Sequence, residues 1–207
     1  MQAAFTSGQD IHSATAAQVF HVAPEDVTHE MRRRAKAVNF GIVYGISAFS
    51  LSQDIGVSVA EAKAYMDAYF ATFPGVRRYM DAVVEQARET GYVETLFHRR
   101  RDLPELSSSN RNLRAFGERV ALNMPIQGTA ADIMKLAMIA VWKGLRETIP
   151  EARLVLQVHD ELIVECPEEK AAAVAQLLTE KMEHVVSLAV PLTADAHWGK
   201  NWLEAKG

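Results

Sequence analysis

The chain has 207 residues, 49% apolar and 23% charged, with 22 Lys and Arg against 26 Asp and Glu. This composition fits a soluble protein of one large or two small domains and excludes disorder as a default. A single cysteine, Cys166, rules out an internal disulfide and a disulfide-built secreted scaffold, which favours a reducing cytosol. No apolar run reaches the roughly 18 residues of a membrane span, and the N-terminus has neither the basic nor the apolar region of a signal peptide, so no membrane partner is expected.

Taken in chain order, the pattern is mostly helical. Asp10 caps a helix to about Phe20, and after Pro24 a second cap, Thr28, opens a helix to about Tyr44. Ser58-Val-Ala-Glu61 is a capping box ahead of Ala62, Tyr65, Met66, Tyr69 and Phe73, with Pro74-Gly75 as the stop. A further helix spans about Val76 to Thr90 and ends at Gly91. Alternation and β-branching predict a strand over Tyr92–Phe97, followed by a basic loop or hairpin partner. Helix resumes near Asn110, Pro125 predicts a kink or break, and an apolar stripe from Ile133 to Leu145 runs on before Pro150. Arg153–Cys166 has the pattern of an antiparallel hairpin with an acidic turn at His159-Asp160-Glu161. Pro167 opens a last amphipathic helix to about Ser187, and Pro191–Ala196 is expected to be a strand. The fold class is therefore α+β, predominantly helical.

Charge is unevenly placed. Residues 1–120 carry 14 basic and 14 acidic side chains, and residues 121–207 carry 8 and 12. Basic clusters survive in the first part: Arg32-Arg33-Arg34 with Lys36, Arg77-Arg78, and Arg99-Arg100-Arg101 followed by Arg111, Arg114 and Arg119. Such clusters suit solvated helix faces or a polyphosphate or nucleic-acid partner.

Three constellations can carry chemistry. Arg32, Lys36, Phe40 and Tyr44 recur every four residues, so on a helix they form one stripe about 18 Å long. Two cations precede two aromatics, the order of charge and flat base in a nucleoside triphosphate. The same spacing also suits an amphipathic helix whose aromatic end enters a core. Asp160-Glu161, between apolar strands, is either an exposed turn or a rigidly held carboxylate pair of the kind Mg²⁺ uses alongside water and phosphate oxygens. Asn123 and Gln127 flank the expected helix break, where amides either cap a helix or meet the acceptors of a minor groove.

Together these residues resemble a known family. Arg32-Arg-Arg-Ala-Lys36-Ala-Val-Asn-Phe40-Gly-Ile-Val-Tyr44-Gly is similar to the fingers-helix motif of the family A DNA polymerases, and Val158-His-Asp-Glu161 resembles that family's second catalytic carboxylate motif. Asp10-Ile-His12, Gly91-Tyr-Val-Glu-Thr95, Asn123-Met-Pro-Ile-Gln-Gly-Thr-Ala-Ala-Asp132 and Asn201-Trp202 follow in the family's order. His98 and Asp102 depart from it, standing where the family usually has Gly and an aromatic residue.

The resemblance implies fingers helices over residues 1–110 and part of a palm, with its antiparallel hairpin, over 111–207. It implies that His12, Arg32 and Lys36 bind the incoming dNTP, that Phe40 packs on its sugar and base and senses the sugar 3′-hydroxyl, and that Tyr44 guards the templating position. Asp160 and Glu161 would hold catalytic metal, two Mg²⁺ ions in the intact enzyme, and Lys36 would take part in catalysis. Arg119, Asn123, Gln127 and His159 would contact the minor groove of primer-template DNA. The implied parent is a monomeric, cytoplasmic, nucleoid-associated bacterial DNA-directed DNA polymerase. The family's other metal-binding aspartate motif would precede Met1, so the chain alone is expected to be inactive. Two other functions remain open on the residues: a noncatalytic nucleic-acid or nucleotide-binding module, and a metal-dependent hydrolase built on Asp160-Glu161.

Overall fold

A computed structural model describes residues 2–206, which divide into two compact units with the boundary between Thr129 and Ala130. The first unit starts with α1 (Gln2–Thr6) and α2 (Ile11–Phe20), capped by Asp10, whose carboxylate accepts from the His12 N–H. After a 3₁₀ turn, Pro24–Asp26, come α3 (His29–Val43), α4 (Ala48–Ile55), α5 (Val59–Thr72) and α6 (Pro74–Thr90). Thr28 caps α3 by accepting from Met31 N–H, and the Ser58–Glu61 capping box is formed in both directions. Helix α4 has no counterpart in the sequence-based expectations, although Ser47 caps its start and Gly56, at φ +66°, closes its end. Pro74 opens α6 instead of only stopping α5, because the first helical position needs no N–H.

Helices α2 to α5 bury Val19, Val38, Ile42, Leu51, Ile55, Ala62 and Tyr69 in one cluster. Each large side chain removed from water there contributes on the order of 1.5–3 kcal/mol. Strands β1 (Tyr92–Glu94) and β2 (Arg100–Asp102) pair antiparallel with Val93 opposite Arg101. The expected strand to Phe97 stops at Glu94, because Thr95 turns the chain. Its hydroxyl accepts from the N–H groups of Phe97 and Arg99 at 3.2 Å each. A 3₁₀ turn, Pro104–Ser107, leads into α7 (Arg111–Thr148).

The expected break at Pro125 is absent: α7 is one helix of 38 residues with Pro125 inside it. An interior proline removes one backbone hydrogen bond, and here the Thr129 hydroxyl donates to the Pro125 carbonyl at 2.5 Å while Thr129 Oγ1 accepts from Leu96 N–H at 3.0 Å. Gly128 makes the approach possible, since a Cβ there would stand 2.7 Å from Thr95 Cγ2.

In the second unit, β3 (Arg153–Val158) and β4 (Glu161–Glu165) form an antiparallel hairpin with a bulge between Leu154 and Leu156. Its inner side joins Val141, Leu145, Ile149, Ala152 and Val174 in an apolar cluster with Leu162 and Val164. After a 3₁₀ turn, Glu168–Lys170, α8 (Ala171–Glu183) ends four residues before the expected Ser187, and α9 (Trp202–Lys206) closes the described chain. Residues 191–196 form no strand: among the described residues the hairpin strands pair only with each other, and α8 side chains bind this segment instead. Ala194 N–H donates to Glu183 Oε1 at 3.0 Å, and its carbonyl accepts from the Thr179 hydroxyl at 3.3 Å. No helix among the described residues is long and apolar enough to cross a membrane.

Candidate functional site

On α3, Ala35, Val38 and Ile42 turn into the core. Arg32, Lys36, Phe40 and Tyr44 therefore lie off that face, and the two rings remain 48% and 40% exposed. Phe40 and Tyr44 are roughly parallel, 19° apart with centroids 6.4 Å apart, and His12 of α2 stands 5.5 Å from Phe40. An amphipathic helix spending its aromatics on the core would have hidden them. Gly45, at φ +69°, ends the stripe, and a Cβ there would meet Leu122 and Arg119 of α7 at 3.2 and 3.4 Å.

The cations of this helix are not equivalent. Arg33 and Arg34 both donate to Glu30 within α3, and Arg34 also donates to the Tyr65 hydroxyl. Those two belong to local ion pairing. Arg32 Nε donates to Asp10 Oδ2 at 2.5 Å, and Asp10 also accepts from Ser13. The Arg32 guanidinium accordingly holds the Asp10 carboxyl well below the ordinary carboxylate range. Lys36 is exposed and makes no hydrogen bond or ion pair among the described residues.

His12 is half-buried. Burial lowers its pKa from the ordinary value, Asp10 opposes that, and Arg32 and Lys36 reinforce it, a balance that favours the neutral ring. Its Nδ1 lies 3.1 Å from Asn39 Nδ2, which also donates to the Thr15 hydroxyl at 3.2 Å. Asn39 and Thr15 were not singled out by the sequence patterns. The only signal was a polar residue on the inner side of a helix just ahead of Phe40.

Arg119, Asn123 and Gln127 recur every four residues along uninterrupted α7, so they share one face. Arg119 and Gln127 are exposed, while Asn123 Oδ1 is buried with no hydrogen-bond partner among the described residues. Such an atom carries a desolvation cost that an incoming donor would relieve. The amides thus flank no break, as the motif had suggested, but line a helix face.

In the second unit, His159 and Asp160 form the two-residue hairpin loop, with His159 in the left-handed region at φ +52°. The expected acidic turn is divided: Asp160 is exposed in the loop without a hydrogen bond or ion pair among the described residues, whereas Glu161 already pairs with Val158 in β4. The Glu161 carboxylate lies 3.3 Å from Lys206 Nζ. Hard carboxylate oxygens suit Mg²⁺, which keeps several water or phosphate ligands. No group of three or more His, Cys, Asp or Glu among the described residues could hold a metal ion, so the fit is that of a partial ligand set.

The family model for DNA polymerase family A matches residues 1–204. The chain is 55% identical over 203 residues to DNA polymerase I of Geobacillus stearothermophilus and 54% identical over 203 residues to that of Bacillus subtilis strain 168. Each match covers 98% of this chain but 23% of the relative, so the chain spans about a quarter of those proteins. A solved structure, the POL domain of Pol1 from M. smegmatis in complex with DNA primer-template and dNTP, superimposes with a TM-score of 0.94 at 46% identity, covering 99% of this chain and 36% of that one.

Proposed function

Because the chain belongs to DNA polymerase family A, we propose that it serves a DNA-directed DNA polymerase, binding an incoming dNTP and primer-template DNA. Residues 1–110 act as fingers and 111–207 as the C-terminal part of the palm. The observation that carries this reading is the α3 stripe: cations, then half-exposed rings, on the face that the core leaves free.

In this reading Lys36 meets the triphosphate as an unpaired cation, and Arg32, oriented through Nε by Asp10, offers its terminal nitrogens. Neutral His12 donates a hydrogen bond to a phosphate oxygen. Phe40 packs on sugar and base, and Tyr44 guards the templating position. Arg119 contacts phosphate or groove, while Asn123, Gln127 and His159 meet minor-groove acceptors; the unsatisfied Asn123 Oδ1 suits a guanine amino donor. Asp160, supported by Glu161, would contribute ligands to two Mg²⁺ ions. When bound, such ions activate a primer hydroxyl and neutralise charge on the transferring phosphoryl group. The protein's own contribution is to hold triphosphate, base and primer in register. The parent is a monomeric, cytoplasmic, nucleoid-associated bacterial enzyme.

Lys36→Ala in the full-length polymerase tests this reading. Nucleotide KM should rise and kcat should fall; unchanged values would return the stripe to a solvated helix face. The partial ligand set at Asp160 and Glu161 favours a second reading for the 207-residue chain by itself, a noncatalytic nucleic-acid or nucleotide-binding module. The isolated chain with Mg²⁺, dNTPs and primer-template should then bind without extending the primer, and template-dependent extension would overturn that.

A further inference from the structure

Asn39 lies one residue before Phe40 on α3, and its amide is held against α2. Asn39 Nδ2 is 3.1 Å from His12 Nδ1 and 3.2 Å from Thr15 Oγ1, and Thr15 Oγ1 is 3.4 Å from Asn39 Oδ1. Thr15 is fully buried, at 0% exposure, so its hydroxyl is a fixed point for the amide. The two hydrogens on Nδ2 serve the two neighbours. A donor aimed at Nδ1 requires a lone pair on that nitrogen, which puts the neutral ring's single proton on Nε2. The charged groups around the ring are Asp10 at the start of its own helix and Arg32 and Lys36 on α3. The two cations disfavour imidazolium, in keeping with a neutral ring.

We propose that Asn39 is a positioning residue of the nucleotide site: by donating to His12 Nδ1 it fixes the ring so that Nε2–H is the proton offered to a triphosphate oxygen. This rests on the reading of His12 as a phosphate ligand. Without the Asn39 donor, the ring populates both tautomers and rotates. The tautomer with a bare Nε2 then turns a lone pair toward an anion, which repels it.

The experiment is a double-mutant cycle in the full-length polymerase, with kcat and KM for a dNTP measured for His12→Ala, Asn39→Ala and the pair. Asn39→Ala should raise KM on the order of tenfold, the worth of a hydrogen bond to a charged group, with kcat changed less. The double variant should be no worse than His12→Ala alone. If Asn39→Ala worsens the His12→Ala enzyme by its full factor, the residue is merely structural and the proposal fails. Asn39→Asp guards against a folding defect, because it keeps the shape of the amide but accepts from the ring and draws the proton to Nδ1. It should raise KM in the presence of His12 and do less in its absence; equal effects in both backgrounds overturn the proposal. Nitrogen-15 spectra of histidine-labelled full-length enzyme, with His12→Ala identifying the signal, should show an Nε2-protonated ring that becomes a tautomer mixture in Asn39→Ala. An Nδ1-protonated ring in the unaltered enzyme would also overturn it. Unchanged KM in His12→Ala would sink the phosphate-ligand reading instead, while the spectrum still reports what Asn39 does to the ring.

Discussion

Asp10 uses one carboxylate for two purposes: it caps α2 through the His12 N–H and it holds Arg32 by Nε. The cap was legible in the sequence because donor and acceptor are two residues apart; the Arg32 partner was not, because it is 22 residues away. Asp10→Ala should cost about 0.5–2 kcal/mol in urea denaturation at pH 7 through the cap, with little more from an ion pair whose side chains are 42% and 38% exposed. The folded pKa is depressed, so the ionised form stabilises the fold. That contribution is present in full above the ordinary carboxylate pKa near 4 and is lost as the pH falls below it through the folded value. The gap between wild type and Asp10→Ala should therefore close on acidification; a gap that widens would mean Asp10 is not held ionised. Phe40 supports a sharper functional test. Its half-exposed phenyl carries no polar group, so if it packs on the nucleotide sugar as proposed, a dideoxynucleotide would lack a contact that the normal substrate's own 3′-hydroxyl supplies. Phe40→Tyr in the full-length enzyme should raise kcat/KM for dideoxy relative to deoxy substrates. A parallel fall for both would mean the ring acts only in packing.

Helix α7 marks where local rules ran out. Proline at 125 predicted a break because its missing N–H and its ring oppose an α-helix by about 3 kcal/mol or more, yet the helix runs on with Thr129 bridging Pro125 O and Leu96 N–H. Leu96 is 33 residues away in sequence, so this bridge could not be read from local spacing. The same reason explains the missing strand at 191–196, where Ala194 is held by Glu183 and Thr179 of α8; the short β1 and the unassigned α4 have local causes, the Thr95 turn and the Ser47 and Gly56 caps, that the pattern reading passed over. By contrast, the α3 stripe, the α5 capping box and the β3–β4 hairpin were legible because their determinants lie within a few residues. Thr129→Val keeps the volume nearly constant but strands the Leu96 N–H. It should destabilise the fold by about 0.5–1.5 kcal/mol, the net worth of a hydrogen bond, and speed hydrogen exchange at Leu96. Unchanged exchange at that amide would remove the bridge from the account.

Across the chain the charge divides with the two units: residues 1–129 carry 14 basic and 14 acidic side chains, and residues 130–207 carry 8 and 12. The exposed cations of α3, and Arg119 of α7, thus belong to a neutral unit, and the exposed Asp160 to one with an excess of four acids. DNA affinity comes mostly from cations displacing counterions from phosphate, and each such contact adds nearly one to the slope of log K against log salt. Removing a carboxylate removes no such contact. In the full-length polymerase, Asp160→Ala should therefore abolish primer extension while primer-template affinity stays the same or tightens slightly at low salt, with its salt slope unchanged. Arg119→Ala should do the reverse, weakening binding and lowering the slope by about one while extension persists at saturating DNA. Fluorescence anisotropy over a salt series, beside single-turnover extension, separates the two. Loss of DNA affinity in Asp160→Ala would mean the hairpin loop anchors DNA instead of serving the chemistry, and an unaltered slope in Arg119→Ala would place that arginine away from the phosphates.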